Sequence, residues 1–276
     1  MLLDKPAGVT SHDVVSSVRR LLGTRAVGHT GTLDPFATGL LVVLVGRATR
    51  LARFVEGREK RYLAVARLGF ATTTDDLTGE PVATGRTGDV RDADIAAALA
   101  AFVGRHSQRP PAYSAKHVAG VRSYRLARRG AAVELAPVDV EVAAIQMVAR
   151  DGELVTFRAT VSAGTYLRGI ARDLGERLGT RAHLVALRRE AIGDLSVDDA
   201  IPVAAVTPEA LLSPLRMVSH LSVRALDDAE AGAVAHGRTI PGGAESGDVA
   251  LVHGGELLAV GESGNGSIRP RVVLAG

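Results

Sequence analysis

Apolar positions along the chain change their spacing several times, and each change marks an element. Val14, Val15, Val18, Leu21 and Leu22 recur at helical intervals behind Ser11, a residue able to cap a first turn, and Gly23 closes the run; a helix is predicted there. Residues 40–45 are instead continuously apolar and end at Gly46, which predicts a short buried strand. A second short helix over about 49–55 stops at Gly57, and 61–70 alternates as a strand that begins near Tyr62. Ile95, Leu99 and Phe102 place a helix over 92–103. Two β-rich runs within 138–163 flank Arg150-Asp151-Gly152-Glu153, whose Asp-Gly pair signals a hairpin. Leu167, Ile170, Leu174 and Leu178 give an amphipathic helix over 165–178, with Arg168 in its first turn and Gly179 at its end. Prolines at 202, 208 and 214 interrupt any periodicity, so a boundary near 215 is expected. Beyond it lie one helix, about 227–235, and a hairpin of 249–252 with 257–260. Hairpins mixed with helices, without regular βαβ repeats, predict an α+β fold with a large mixed or antiparallel sheet flanked by helices. The expected division is a large unit over 1–215 and a small β-rich unit over 216–276.

Composition narrows what such a fold does. The 276 residues are 46% hydrophobic, enough for one large core and a small one. Cysteine is absent, which excludes disulfides, thiolate catalysis and Cys-ligated zinc. The start has no basic segment leading into a long apolar stretch, and no later run approaches a membrane span, so a soluble, cytoplasmic protein is expected. Net charge is only +3, but it is unevenly spread: residues 216–276 hold five Lys or Arg against seven Asp or Glu. The stretch 104–130 carries Arg105, Arg109, Lys116, Arg122, Arg125, Arg128 and Arg129 with no acid. A basic loop of this kind neutralises phosphates, and the interleaved Tyr113 and Tyr124 can stack on bases, which points to a nucleic-acid partner.

The candidate chemistry concentrates in Gly28-His29-Thr30-Gly31-Thr32-Leu33-Asp34-Pro35-Phe36-Ala37-Thr38-Gly39, a turn-rich run just ahead of the buried strand. Asp34 before proline is either a turn former or a carboxylate held at the edge of a core for its charge. An aspartate-nucleophile phosphatase would want a second acid two residues on, where Phe36 stands, and no P-loop pattern occurs anywhere.

Taken together with Lys5-Pro6-Ala7-Gly8-Val9-Thr10-Ser11, Lys60-Arg61-Tyr62, Gly164-Thr165-Tyr166-Leu167-Arg168 and Leu187-Arg188-Arg189, the acidic run resembles the TruB family of tRNA pseudouridine synthases, over about residues 1–200. The resemblance implies a pseudouridine synthase fold and isomerisation of uridine 55 in the TΨC arm of tRNA, without metal or cofactor. It assigns Asp34 as nucleophile or charge stabiliser, Arg168 as its pairing cation, and Tyr62 as the ring that stacks on the flipped uracil. Leu187 would belong to the apolar wall over the base, and His29 would fill the gap that the base leaves. Tyr166 and Lys5 match positions close to the site. Arg122, Arg125, Arg128 and Arg129 are the expected RNA contacts. The family usually has a longer strand before the Lys5-Pro6 block, so the expectation is either a start codon internal to the true frame or a short edge strand. It also implies a PUA-type RNA-binding module at 216–276, although that segment is acidic. The expected protein is a monomer with no protein partner; the rival reading is a tRNA-binding or folding factor without catalysis.

Overall fold

The computed structural model describes residues 1–112, 117–118, 121–122 and 135–274. A ten-stranded mixed sheet dominates. Its main path runs Ile201–Pro202, Leu2–Lys5, Thr38–Val45, Ala182–Ile192, Lys60–Leu68, Leu154–Val161, Val138–Asp151 and Gly104–Gln108. Val27–Thr30 pairs with Thr38–Val45 off this path, and Leu195–Ser196 with Ala182–Ile192. Most pairings are antiparallel. Thr38–Val45 meets Ala182–Ile192 in parallel, over only Arg188 opposite Thr38 and Arg189 opposite Gly39. Asp34 lies on the loop that leads into this narrow joint.

The strand periodicity explains the layers. Along Lys60–Leu68 burial alternates, so Tyr62, Ala64, Ala66 and Leu68 face one side while Arg61 and Arg67 stay exposed on the other. The buried side packs on the helices Asp92–Ala100 and Leu167–Arg177 through Ile95, Leu99, Leu167, Ile170 and Leu174. Thr38–Val45 is buried on both faces, as its unbroken apolar run predicts. Leu41 and Val43 meet the helix Ser11–Leu21 through Val14, Val15 and Val18. Leu40, Val42 and Leu44 meet Phe54, Val55 and the C-terminal Ala250, Val252 and Val260.

Residues 222–273 supply a separate five-stranded sheet with its own apolar cluster around Leu226, Val234, Leu251 and Ile268. It is also tied to the large sheet by the shared cluster above and by two arginines: Arg47 Nη1 donates to Leu274 O at 3.1 Å, and Arg50 Nη1 to Val273 O at 2.6 Å.

Several expectations change in detail. Ser11 is not the helix cap. Thr10 is, with its hydroxyl accepting from Asp13 N and the Asp13 carboxylate accepting from Thr10 N at 2.9 Å, a reciprocal capping box. Ser11 is buried and instead bonds Leu33, accepting from its N–H at 2.9 Å. The first strand is short, Leu2–Lys5, but it is paired on both sides rather than lying at the edge. The front of the expected basic loop is a strand, Gly104–Gln108, and Arg105 there is paired with Glu141 at 3.1 Å. His29 sits on the strand Val27–Thr30, not in a turn. Short helices around 49–55 resolve into a 3-10 turn, Gly46–Leu51, followed by Ala52–Glu56. At the hairpin, Asp151 pairs with Leu154, and Gly152 takes a φ of +57° that its lack of a Cβ allows.

Replacing Thr10 by Ala is expected to destabilise the protein by about 1 kcal/mol, the usual loss of an N-cap hydroxyl, measured by urea unfolding. A loss near zero would mean that Ser11 and Asp13 secure the helix end without it.

Candidate active site

Asp34 is placed by its neighbours. Leu33 is buried in the same apolar cluster as Ala37, Tyr62, Leu167 and Leu187, and Ala37 N donates back to Asp34 O at 3.1 Å. The next carbonyl, Pro35 O, accepts from Gly8 N at 2.8 Å and from Lys5 Nζ at 3.3 Å. The acidic loop is thereby stitched to the Lys5–Gly8 turn and to Ser11. The carboxylate itself stays at the rim, with 31% of its side chain exposed.

Arg168 closes on it from the helix Leu167–Arg177. Nη2 donates to Asp34 Oδ1 at 3.0 Å and Nε lies 2.9 Å from Oδ2, a two-point pairing of guanidinium and carboxylate. Arg168 is only 4% exposed, a buried cation rather than a surface arginine. The first turn of its helix is anchored by Gln108, whose side-chain amide accepts from Tyr166 N at 2.9 Å and donates to Tyr166 O at 3.0 Å. Gly169 leaves room for this anchor, since a Cβ there would lie 2.9 Å from Gln108 Nε2.

A second carboxylate, absent from the sequence expectations, shares the arginine. Asp76 Oδ2 lies 3.3 Å from Arg168 Nη1, which also donates to Thr74 O at 3.1 Å. Asp76 is 4% exposed, and its Oδ1 accepts from Thr74 Oγ1, Thr78 N and Thr78 Oγ1 at 2.7, 2.9 and 2.6 Å. The adjacent Asp75 adopts a left-handed backbone, φ +58°, and accepts from Arg172 Nη1 at 3.1 Å. This threonine-rich turn is thus held to the helix by two arginines.

The electrostatics oppose one another. Burial pushes the Asp34 carboxyl above the usual carboxylate range, Arg168 pulls it down, Asp76 raises it and Lys5 lowers it. Lys5 is wholly buried, donates to Pro6 O at 2.8 Å and Val9 O at 2.7 Å, and is lowered by desolvation to about 8. An anionic oxygen pair locked by a fork of N–H groups, exposed on one side beside an apolar wall, is suited to nucleophilic attack or to shielding a carbocation.

A family profile described as TruB family pseudouridylate synthase (N-terminal domain) matches residues 19–167. This chain belongs to the TruB family. Among its relatives, a protein named tRNA pseudouridine synthase B from Thermobifida fusca (strain YX) is 44% identical, over 100% of this chain and 98% of the relative. One of the same name from Solibacter usitatus (strain Ellin6076) is 41% identical, over 95% of this chain and 94% of the relative. Among solved structures, a chain of an H/ACA RNP bound to a substrate RNA containing 2′-deoxyuridine aligns with a TM-score of 0.75 at 25% identity, covering 99% of this chain and 84% of that one. The archaeal box H/ACA sRNP Nop10-Cbf5 complex gives 0.74 at 27%, covering 98% and 84%. This TruB-family chain has the pseudouridine synthase fold, and the alignment with these neighbours extends over 98–99% of its length.

Of the residues expected from sequence, Asp34 and Arg168 are in direct contact, and Tyr62 and Leu187 share the apolar cluster that seats the loop. Tyr62 is 7% exposed and lies opposite Arg189 and Ala159 in the sheet. Lys5 reaches the loop backbone, whereas Tyr166 contributes its main chain to the helix anchor. His29 stands on the strand that feeds the loop, half-buried, and burial, the largest cause, lowers its pKa and so favours the neutral ring. Arg122, Arg125, Arg128 and Arg129, with Lys116, Tyr113 and Tyr124, have side chains outside the described residues. Asp76 escaped notice because a polar Thr/Asp/Gly run reads as an exposed turn; its one local signal is threonine two residues to either side.

With Asp34 as the reacting carboxylate in its ionised form, turnover is expected to fall as pH drops through a midpoint above the ordinary carboxylate range. Asp76→Asn removes a charge that raises the Asp34 pKa, so this acidic limb should move to lower pH while the plateau drops because Arg168 loses an orienting partner. Rate–pH profiles of the two proteins test both; a limb that moves upward would refute the assigned sign.

Proposed function

We propose that this chain isomerises uridine 55 of tRNA to pseudouridine, with Asp34 as the reacting carboxylate. The observation that carries the reading is the rim carboxylate held at two points by buried Arg168 above the Tyr62–Leu187 wall. The relatives named tRNA pseudouridine synthase B support tRNA as the substrate. The reaction breaks the bond between ribose C1′ and N1, turns the uracil, and joins C1′ to C5. N1 gains a proton and C5 loses one, with no net oxidation. Asp34 bonds or shields the electron-poor carbon, Arg168 keeps it charged and oriented, and Tyr62 and Leu187 form the apolar walls that retain the detached base.

The uridine must first leave its stack, at a cost of a few kcal/mol. His29 is proposed to take the vacated place, a role that a neutral planar ring fits. In this reading residues 1–215 form the catalytic unit and 216–276 a small PUA-like RNA-binding module, acting as a monomer on the TΨC arm. The separate five-stranded sheet supports that division.

Release of tritium from tRNA labelled at uridine C5 measures the reaction. Wild type should release about one equivalent per tRNA, and Asp34→Asn none, with tRNA affinity within about 1 kcal/mol of wild type, because chemistry rather than phosphate contact is lost. Substantial turnover by Asp34→Asn would remove it as the reacting group. Tight binding without release by wild type would favour a tRNA-folding factor.

Replacing Arg122, Arg125, Arg128 and Arg129 together by Gln should weaken tRNA binding and flatten its dependence on salt concentration. An unchanged slope of log affinity against log salt would place those arginines away from the RNA.

A further inference from the structure

Arg189 is 1% exposed, and no carboxylate partners it among the described residues. Its guanidinium is spent on main-chain oxygens at the two ends of the acidic loop: Nη2 donates to Gly31 O at 2.9 Å and Nε to Leu40 O at 2.7 Å. The loop is shaped around it. Gly31 has a φ of +73°, and a Cβ there would lie 3.3 Å from Arg189 Nη1; Gly39 has a φ of +97°, and a Cβ there would lie 2.3 Å from Arg189 O. Both glycines therefore let the loop close onto one residue of the central strand.

We propose that Arg189 is a positioning residue for Asp34: it fixes the span between residues 31 and 40 and so sets where the carboxylate meets Arg168 and the substrate. Three considerations point this way. An isolated buried charge is a poor stabiliser, since an apolar side chain of similar volume often serves as well, so its retention calls for another role. A planar guanidinium holds two carbonyls from separate nitrogens in a rigid fork, whereas a lysine gathers them around one freely rotating ammonium. Leu187, two residues earlier on the same strand, shares the apolar cluster with Tyr62, so one rigid strand places both the wall and the loop. Small displacements of a reacting group are costly in rate, and they need not alter affinity for the bulk of an RNA.

The inference rests on the functional reading above, and tritium release separates the two: an inactive wild type defeats the reading, whereas active variants defeat only the role of Arg189. Arg189→Lys is expected to fold, to lower kcat at least about tenfold with KM for tRNA within about threefold, and to speed amide hydrogen exchange over residues 31–40. Gly31→Ala, which keeps Arg189 and disturbs the carbonyl it holds, should lower kcat in the same way, and it decides the matter if Arg189→Lys does not fold. Lys60→Met is the comparator. It removes another buried cation whose bonds go to carbonyls outside the acidic loop, those of Glu56 at 2.6 Å and Arg58 at 2.7 Å, and methionine keeps an apolar stem where the Lys60 chain lies beside Gly31. It should lower the melting temperature and leave kcat nearly unchanged. Wild-type kcat in both loop variants, or an equal fall of kcat in Lys60→Met, overturns the proposal.

Discussion

A partly buried carboxylate at the rim of a cluster of buried charges sets the terms for this structure. Desolvating Asp34 favours its neutral form, and a second acid, Asp76, stands behind the same arginine. One guanidinium facing two carboxylates leaves an excess of negative charge. Buried Lys5 offsets that excess through its field on Asp34, while its own bonds go to carbonyls rather than to an acid. Two cations against two anions make the cluster neutral as a whole. Desolvation of several kcal/mol per ion is then opposed by attraction at short range within the cluster. Asp34 differs from the other three in its exposure: Lys5, Asp76 and Arg168 are almost wholly covered, so Asp34 is the one accessible member of the cluster.

The fold solves a problem of assembly, because the members of this cluster are far apart in sequence. Asp34 and Arg168 are separated by 134 positions. The central strands Lys60–Leu68 and Ala182–Ile192 form a rigid floor; Asp34, Asp76 and Arg168 are carried by loops and a helix end, and Lys5 ends the strand Leu2–Lys5. Apolar neighbours supply the anchorage: Leu33 beside Asp34 and Leu167 beside Arg168 enter one cluster. Asp76 arrives on a turn whose strand-like bridge to Leu184 lies on the same floor. Side chains with few alternative positions, buried next to a core, keep the geometry that a reaction requires.

Parts of this plan were legible in the chain. The helix behind Thr10, the doubly buried strand 38–45, the Asp-Gly hairpin and the helix bearing Arg168 follow from local periodicity, because in each the buried face or turn has a strong one-dimensional signature. Asp34, Arg168 and Tyr62 were legible only as a set, through family resemblance; nothing local distinguishes Arg168 from a surface helix arginine. The strand Ala182–Ile192 was not legible, since Arg188, Arg189 and Glu190 interrupt its apolar alternation. Their charges are absorbed in three dimensions: Arg188 by Asp4, Glu190 by Arg61 and Arg158, and Arg189 by carbonyls. The strand Gly104–Gln108 was hidden in the same way, its basic residues reading as loop until Val138–Asp151 pairs beside them.

Those three neighbours show how burial changes what a cation does. Arg188 and the arginines around Glu190 lie on the open face of the sheet, where paired charges remain in contact with water and contribute little to stability. Lys5, Lys60 and Arg189 are covered, and none is satisfied by a carboxylate among the described residues; each instead gathers main-chain oxygens, most of them from irregular segments. A buried carbonyl without a donor is costly, and a loop tightly turned around glycines presents several. A cationic side chain supplies several donors at once, so a few such residues organise irregular backbone that neither helix nor sheet could pair. The same economy explains why both lysines have pKa values drawn down to about 8: carbonyl dipoles cradle the charge but do not fully replace water. Irregular backbone near a reacting group is therefore made rigid by cations beneath it, and the acidic loop of this protein owes its shape to that arrangement as much as to its own sequence.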